Sequence, residues 1–289
     1  VDAPALKFPE EQSAWNTIAA RFSGTPAVKD GKTTTEIAVT GLKADPKAAS
    51  ATASITIDKA SGHVVGITSN AAKFSDEEFK LFASFPELKG ITLWHNSGGF
   101  TGKGIAHVAS LPKLERLTLA GGGLDNSGMA EAAKLKNLKE FRIWHCAFDD
   151  AGVAAFKGSQ TLEAISVGPQ WSSRITDKSM ESLSQCPKLK KIGFADTYLT
   201  WENGLKHLTA LKETLTEVDL GDCLIEPADV EHLKKELQNV KVTWKGLAAA
   251  GVPMGKSWSR SVAQKWIPKE LIEKAIVEAE KNPPPANTK

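Results

Sequence analysis

The chain has 289 residues, enough for two ordinary domains or one elongated repeat array. Hydrophobic residues at 41% and charged residues at 24% exclude a disordered chain. A balance of 36 basic against 34 acidic side chains leaves +2, too even for the one-signed footprint of a nucleic-acid or anionic-membrane binder. No apolar run approaches the roughly 20 residues that a membrane-spanning helix needs. The chain starts Val1-Asp2-Ala3-Pro4, with no initiator Met and no signal peptide. A processed exported protein would look like this, and so would a truncated chain. Cys146, Cys186 and Cys223 are too few, and odd in number, for a disulfide framework.

In chain order, the first element is a helix over residues 10–22. Trp15, Ile18, Ala19 and Phe22 recur at i, i+3, i+4 and i+7, the stripe of an amphipathic helix. A polar stretch rich in Thr, Lys and Ala follows. Ile55-Thr56-Ile57 and Val64-Val65-Gly66-Ile67 then flank Lys59-Ala60-Ser61-Gly62, which predicts a β-hairpin whose second strand opens a larger sheet. Residues 1–62 therefore read as an N-terminal cap.

From there the pattern L-x-x-L-x-L recurs. It stands as Leu88/Ile91/Leu93, Leu114/Leu117/Leu119, Leu138/Phe141/Ile143, Leu162/Ile165/Val167, Leu189/Ile192/Phe194 and Leu215/Val218/Leu220, with steps of 26, 24, 24, 27 and 26 residues. Eight residues after each first position stand Asn96, Gly122, Cys146, Gln170, Thr197 and Cys223. A second register follows: an apolar residue with two more at five and eight, as in Phe74/Phe79/Phe82, Phe148/Val153/Phe156 and Ile175/Met180/Leu183. That is one face of a helix. Ser75, Thr101, Asp125, Asp149, Thr176 and Thr200 sit where a helix cap is needed. Each unit is thus a strand, a turn and a short helix. Neither element can bury its apolar side alone, and stacking gives both a shared core.

After the last repeat helix, Val240, Val242 and Trp244 predict a closing strand. Pro268 opens a helix over 268–281 whose apolar face is Leu271, Ile272, Ala275, Ile276 and Ala279, with Trp258 and Trp266 expected beneath it. The Asn282-Pro283-Pro284-Pro285 tail reads as extended or disordered.

From His63 to Gly246, about two thirds of the chain, the sequence resembles the leucine-rich-repeat superfamily. It is most similar to the cysteine-containing and ribonuclease-inhibitor-like types, in which a helix backs every strand. Cys186-Pro187-Lys188-Leu189 resembles the C-P-x-L junction of the cysteine-containing type. Ile175-Thr176-Asp177 resembles the hydrophobic-Thr-Asp turn of bacterial exported repeat proteins. The resemblance implies an α/β leucine-rich-repeat solenoid, a right-handed β-α superhelix with a parallel sheet on its concave side and helices on its convex side. The expected division is an N-terminal cap (1–62), the solenoid (63–246), a C-terminal helical cap (247–281) and a tail (282–289). It also implies an extracytoplasmic location, periplasmic or secreted, for a bacterial protein.

Alternation along the strands sends the positions between the apolar residues to the concave face. These are Gly90/Thr92/Trp94, Arg116/Thr118/Ala120, Glu140/Arg142/Trp144, Ala164/Ser166/Gly168, Lys191/Gly193/Ala195 and Glu217/Asp219/Gly221. Their charges are mixed, against a nucleic-acid groove. Trp94 and Trp144 stand out, in the near-identical contexts Leu93-Trp94-His95 and Ile143-Trp144-His145. With strands about 4.8 Å apart, the indoles are expected roughly 10 Å apart over Ala120 and Gly121-Gly122-Gly123. The expected patch is Trp94, His95, Arg116, Ala120, Arg142, Trp144 and His145. Alternatively, the indoles lean over the glycines and bind nothing.

Other chemistry finds little support. His95 and His145, at that same spacing, are too far apart to share a zinc ion. His107, His207 and His232 each precede an apolar helix residue and belong to the outer side. The three cysteines read as buried structural thiols without a base. The sequence shows no P-loop, G-x-S-x-G or H-E-x-x-H pattern and implies no cofactor. The expected activity is non-enzymatic recognition of a protein or peptide through the concave face, by a monomer. A carbohydrate or cell-envelope glycan held at the Trp94/Trp144 notch is the alternative.

Overall fold

In the computed structural model, which describes residues 5–22, 27–31, 36–43, 52–96, 99–169, 175–250 and 267–283, each repeat becomes a strand followed by a short helical turn. Every residue at the three L-x-x-L-x-L positions is buried, none more than 4% exposed. At about 2 kcal/mol for each fully buried aliphatic side chain, this internal spine is the main stabilising term. The chain divides into two compact units, Val1–Arg142 and Ile143–Lys289.

The first unit begins with α1 (Pro9–Ala19). An antiparallel meander follows: β1 (Ala27–Asp30), β2 (Glu36–Lys43), β3 (Thr52–Asp58) and β4 (Val64–Asn70). β3 and β4 form the expected hairpin, with Ile55 opposite Ile67. β1 and β2 occupy the stretch that the sequence leaves without elements. β2 pairs with β1 on one side and β3 on the other, and along it Ile37 and Val39 alternate with Glu36 and Thr40. Glu11, only 1% exposed, ties α1 to the hairpin. Its two oxygens take the His63 ring Nδ1 at 2.5 Å and the Val64 amide at 2.8 Å.

From β4 onward the pairing is parallel. Gly66, Thr68 and Asn70 stand in register with Gly90, Thr92 and Trp94 of β5 (Gly90–Trp94), which pairs in turn with β6 (Arg116–Ala120). β7 (Glu140–Cys146) comes next, and the boundary between the units falls within it. In the second unit β8 (Ala164–Pro169), β9 (Lys191–Phe194), β10 (Glu217–Asp219) and β11 (Lys241–Thr243) continue the parallel order. Both units carry the repeat of a strand, paired in parallel with its neighbour, and a short returning helix.

The returning segments are short. They are α2 (Glu78–Phe82), α3 (Asn126–Ala133), α4 (Asp150–Ala154), α5 (Asp177–Leu183) and α6 (Pro227–Glu236). Two others, Lys103–Val108 and Leu205–Leu211, are 3₁₀ rather than α. Both follow a glycine, Gly102 or Gly204, which brings no capping side chain to the first turn. All six expected capping side chains accept a main-chain N–H two or three residues on: Ser75, Thr101, Asp125, Asp149, Thr176 and Thr200.

The hydrophobic-Thr-Asp turn also has a cross-repeat role. Asp76 accepts from the Thr101 amide and hydroxyl, Asp150 from those of Thr176, and Asp177 from those of Thr200. Each aspartate thus satisfies the start of the next repeat's turn. For Asp177, burial outweighs these bonds and raises its pKa above the usual carboxylate value.

The closing helix α7 (Lys269–Lys281) packs Leu271, Ile272 and Ala275 with Leu224, Leu247, Ala250 and Ile267. Trp244, at the end of β11, donates from its indole N–H to the Cys223 carbonyl at 2.9 Å. Gln170, Trp258, Trp266 and the chain beyond Pro283 lie outside the described residues.

Candidate functional site

The sheet face of the first unit carries an open groove of about 370 Å³. Gly66 and Thr68 of β4, Gly90 and Thr92 of β5, and Thr118 of β6 line it with small side chains. Trp94, Arg116 and Arg142 supply the large ones, and Glu140 is the single carboxylate. Alternation explains the grouping: in β5 and β6, Ile91, Leu93, Leu117 and Leu119 point into the core, so the residues between them face the groove.

Trp94 is 37% exposed, one of few large apolar side chains left open among the described residues. Arg116 lies across Gly90, where its Nε and Nη2 are each 3.5 Å from the point a Cβ would occupy. A bulky residue at 90 would displace the guanidinium. Among the described residues, the guanidinium groups of Arg116 and Arg142 have neither an ion-pair nor a hydrogen-bond partner.

The expected patch is only partly assembled. Trp94, Arg116 and Arg142 share the groove. Ala120 is 6% exposed, and its carbonyl accepts the Asn96 amide at 2.8 Å, so it lies beneath the face and offers no contact surface. Trp144 and His145 belong to the second unit. Trp144 is half-buried across Gly168: a Cβ on Gly168 would come within 2.3 Å of its Cε3. The indole therefore does lean on a glycine, but on Gly168. The expected cover over Gly121-Gly122-Gly123 is replaced by the chain of their own unit, at His95, Asn96 and Phe100.

His95 and His145 share a feature that the sequence reading does not anticipate. Both are left-handed, at φ +48° and +50°, as are Gly121 and Asp196, each one residue before the Asn/Cys slot. His, Asp and Gly are residue types that tolerate this conformation, which turns the chain out of the strand. The two Trp-His pairs thus have a backbone cause for the histidine. His95 also hydrogen-bonds through Nδ1 to the Asn70 side-chain oxygen at 2.8 Å.

The Asn/Cys slot is internal. Asn96 is buried, accepting from the Phe74 amide at 2.6 Å and donating to the Phe74 carbonyl at 2.7 Å. Cys146, Cys186 and Cys223 are buried free thiols. Burial pushes the Cys186 thiol up and the Cys223 thiol well above its ordinary value, which removes the thiolate a nucleophile needs. His107 is exposed, and His232 stacks on Trp201 with ring centroids 3.8 Å apart. Among the described residues no group of three or more His, Cys, Asp or Glu side chains is arranged to hold a metal ion. No described helix is long and apolar enough to cross a membrane.

The second unit has a hollow of about 630 Å³ on its helix side, lined by Asp149, Asp150, Thr176, Lys178 and Glu181 among others. Asp150 is already committed to Thr176 and Ser179. The hollow is a gap between α4 and α5, with the Asp150 carboxylate spent on structure.

Several solved structures resemble this one, a leucine-rich-repeat ectodomain among them. An internalin (InlF) from Listeria monocytogenes is 14% identical, with a TM-score of 0.35 over 56% of this chain and 56% of that one. The leucine-rich-repeat ectodomain of the Arabidopsis receptor kinase HAESA, solved with an IDA peptide hormone, is also 14% identical, with a TM-score of 0.35 over 70% of this chain. The chain spans 56% of the internalin and 35% of the HAESA ectodomain. No family model and no curated protein matches the sequence.

The residues that the sequence reading missed in the groove are Thr56, Gly66 and Thr68. The signal was present: Gly66-x-Thr68 repeats the Gly90-x-Thr92 spacing of the next strand.

Proposed function

We propose that this protein is a non-enzymatic recognition scaffold that binds a protein or peptide partner through the sheet face of its first unit. One observation carries the reading. Trp94, Arg116 and Arg142 stand around a shallow floor of glycine and threonine, with no partner among the described residues for either guanidinium. Exposed Trp and Arg are the side chains most enriched at binding hot spots. The groove lacks the paired nucleophile and base that catalysis would require. In this reading residues 1–62 and 247–281 are caps, the repeats between them are the working surface, and the protein acts outside the cytoplasm. A glycan held against Trp94 is the second reading, motivated by the open face of that indole.

The test is to present the full chain and its Trp94→Ala variant to a displayed peptide library and to a glycan array. Peptides enriched by wild type and lost by the variant support the scaffold reading. Glycans that behave this way replace it with the second reading, and no Trp94-dependent ligand of either class overturns both.

A further inference from the structure

We infer that the groove of the first unit selects an extended peptide carrying a carboxylate side chain, with Arg116 and Arg142 as the fork that receives it. This deepens the scaffold reading and rests on it.

The argument starts from how the rest of the molecule treats charge. At the strand starts, neighbouring repeats pair their charges: Lys113 with Glu87, Lys139 with Glu115, and Lys190 with Glu163. In the second unit the equivalent face does so as well, with Glu217 between Lys191 at 3.5 Å and Lys241 at 2.9 Å. Arg116 and Arg142 break this habit. They line one groove with Glu140, so two guanidiniums face one carboxylate and one positive charge is left over.

Their chemistry and setting narrow the ligand. A guanidinium presents its N–H groups as a planar fork that matches a carboxylate in two parallel bonds, which an ammonium cannot do. Arg116 lies over Gly90, whose missing side chain leaves room for the guanidinium beside the groove floor. The groove crosses β4 to β7, three strand spacings or about 14 Å, the reach of roughly four residues of extended peptide. Trp94 stands at one side as a platform for an apolar neighbour of the acidic residue. A peptide fits better than an acidic glycan. The hydroxyl pairs of a sugar call for several planar amide or carboxylate groups, and here Glu140 is the single one.

The experiment uses an array of immobilised peptides in which every Asp- or Glu-containing sequence has an Asn- or Gln-containing twin. The full chain is applied as wild type, Arg116→Gln, Arg142→Gln, Arg116→Lys and Trp94→Ala. Wild type should favour acidic members over their twins by about tenfold or more, the ratio expected for a charge-assisted pair. Either Gln variant should bring that ratio close to one, Arg116→Lys should restore it only partly, and Trp94→Ala should weaken both sets alike. Circular dichroism on each variant separates lost binding from lost folding. Equal retention of acidic and neutral twins, with Trp94→Ala still harmful, overturns the carboxylate inference and leaves the scaffold reading intact. On a parallel array of acidic glycans, Arg-dependent retention with no peptide retained overturns it in favour of the other ligand class. No retention of any probe removes both readings together.

Discussion

The two units are built from the same repeat, yet they treat their sheet faces in opposite ways. In the second unit, Glu217 is shared between Lys191 and Lys241, and Trp144 lies down on Gly168. In the first, Arg116 and Arg142 keep their charges unpaired, and Trp94 stands exposed. The difference does not come from the internal spine, because the repeat positions are equally buried in both. It comes from the side chains at the alternate positions. A solenoid can change its surface at any repeat without changing its core, since inward and outward residues alternate and their contributions are nearly independent.

Five substitutions, in three sets, test how far that independence goes. The largest effect is expected at the Asn/Cys slot, where the units differ inside rather than outside. Asn96→Leu strips both partners from the buried Phe74 amide and carbonyl and should cost about 3 kcal/mol. Thr197→Val, at the same slot in the second unit, loses a single bond to the Ala195 carbonyl and should cost about 1 kcal/mol. Chemical denaturation of both variants gives the ratio. Equal costs would mean that the slot residues are interchangeable.

The next concerns the left-handed position before the slot, His95 in the first unit and Asp196 in the second. Burial, reinforced by Asp222 and partly opposed by Lys245, pushes the Asp196 carboxyl up to about 7. Its folded pKa lies above its unfolded one, so the folded state binds the extra proton. The stabilisation is complete below about pH 4 and is lost as pH rises through about 7. Asp196→Asn tolerates the same backbone and carries no charge. The variant should gain on the order of 2 kcal/mol over wild type at pH 8 and little at pH 4, read from denaturation midpoints across that range. A wild type whose stability relative to the variant does not change with pH would show Asp196 to be solvated.

The smallest expected effect separates the two tryptophans. Trp144→Ala uncovers Gly168 and should cost about 1–2 kcal/mol, whereas Trp94→Ala should change stability by less than about 0.5 kcal/mol. Thermal melts of the pair sharpen the contrast between a structural indole and a free one. A larger loss at Trp94 would invert it.

Much of the fold was legible because two periods, one near 25 residues and one inside each repeat, carry it. Leu88, Ile91 and Leu93 and their equivalents could only be buried, and the caps from Ser75 to Thr200 could only start turns. β1 and β2 were not read: the alternation of Ile37 and Val39 with Glu36 and Thr40 is short and sits inside a long stretch of Thr, Lys and Ala. Part of the site was visible too. Strand alternation placed Trp94, Arg116 and Arg142 on one face, but it could not tell Trp94 from Trp144, because identical local contexts give identical expectations.

What the sequence by itself determined was the repeat: its register, its buried spine and which side chains alternate outward. These follow from spacing, and spacing is a property of the chain alone. What only the tertiary structure decided was the fate of each outward side chain. Gly168 lies where Trp144 can fold onto it, Glu217 lies between two lysines, and neither arginine of the groove has a carboxylate within ion-pair reach among the described residues. Those outcomes depend on neighbours about 25 residues away in sequence and one strand away in space, where a few ångströms separate a paired charge from a free one.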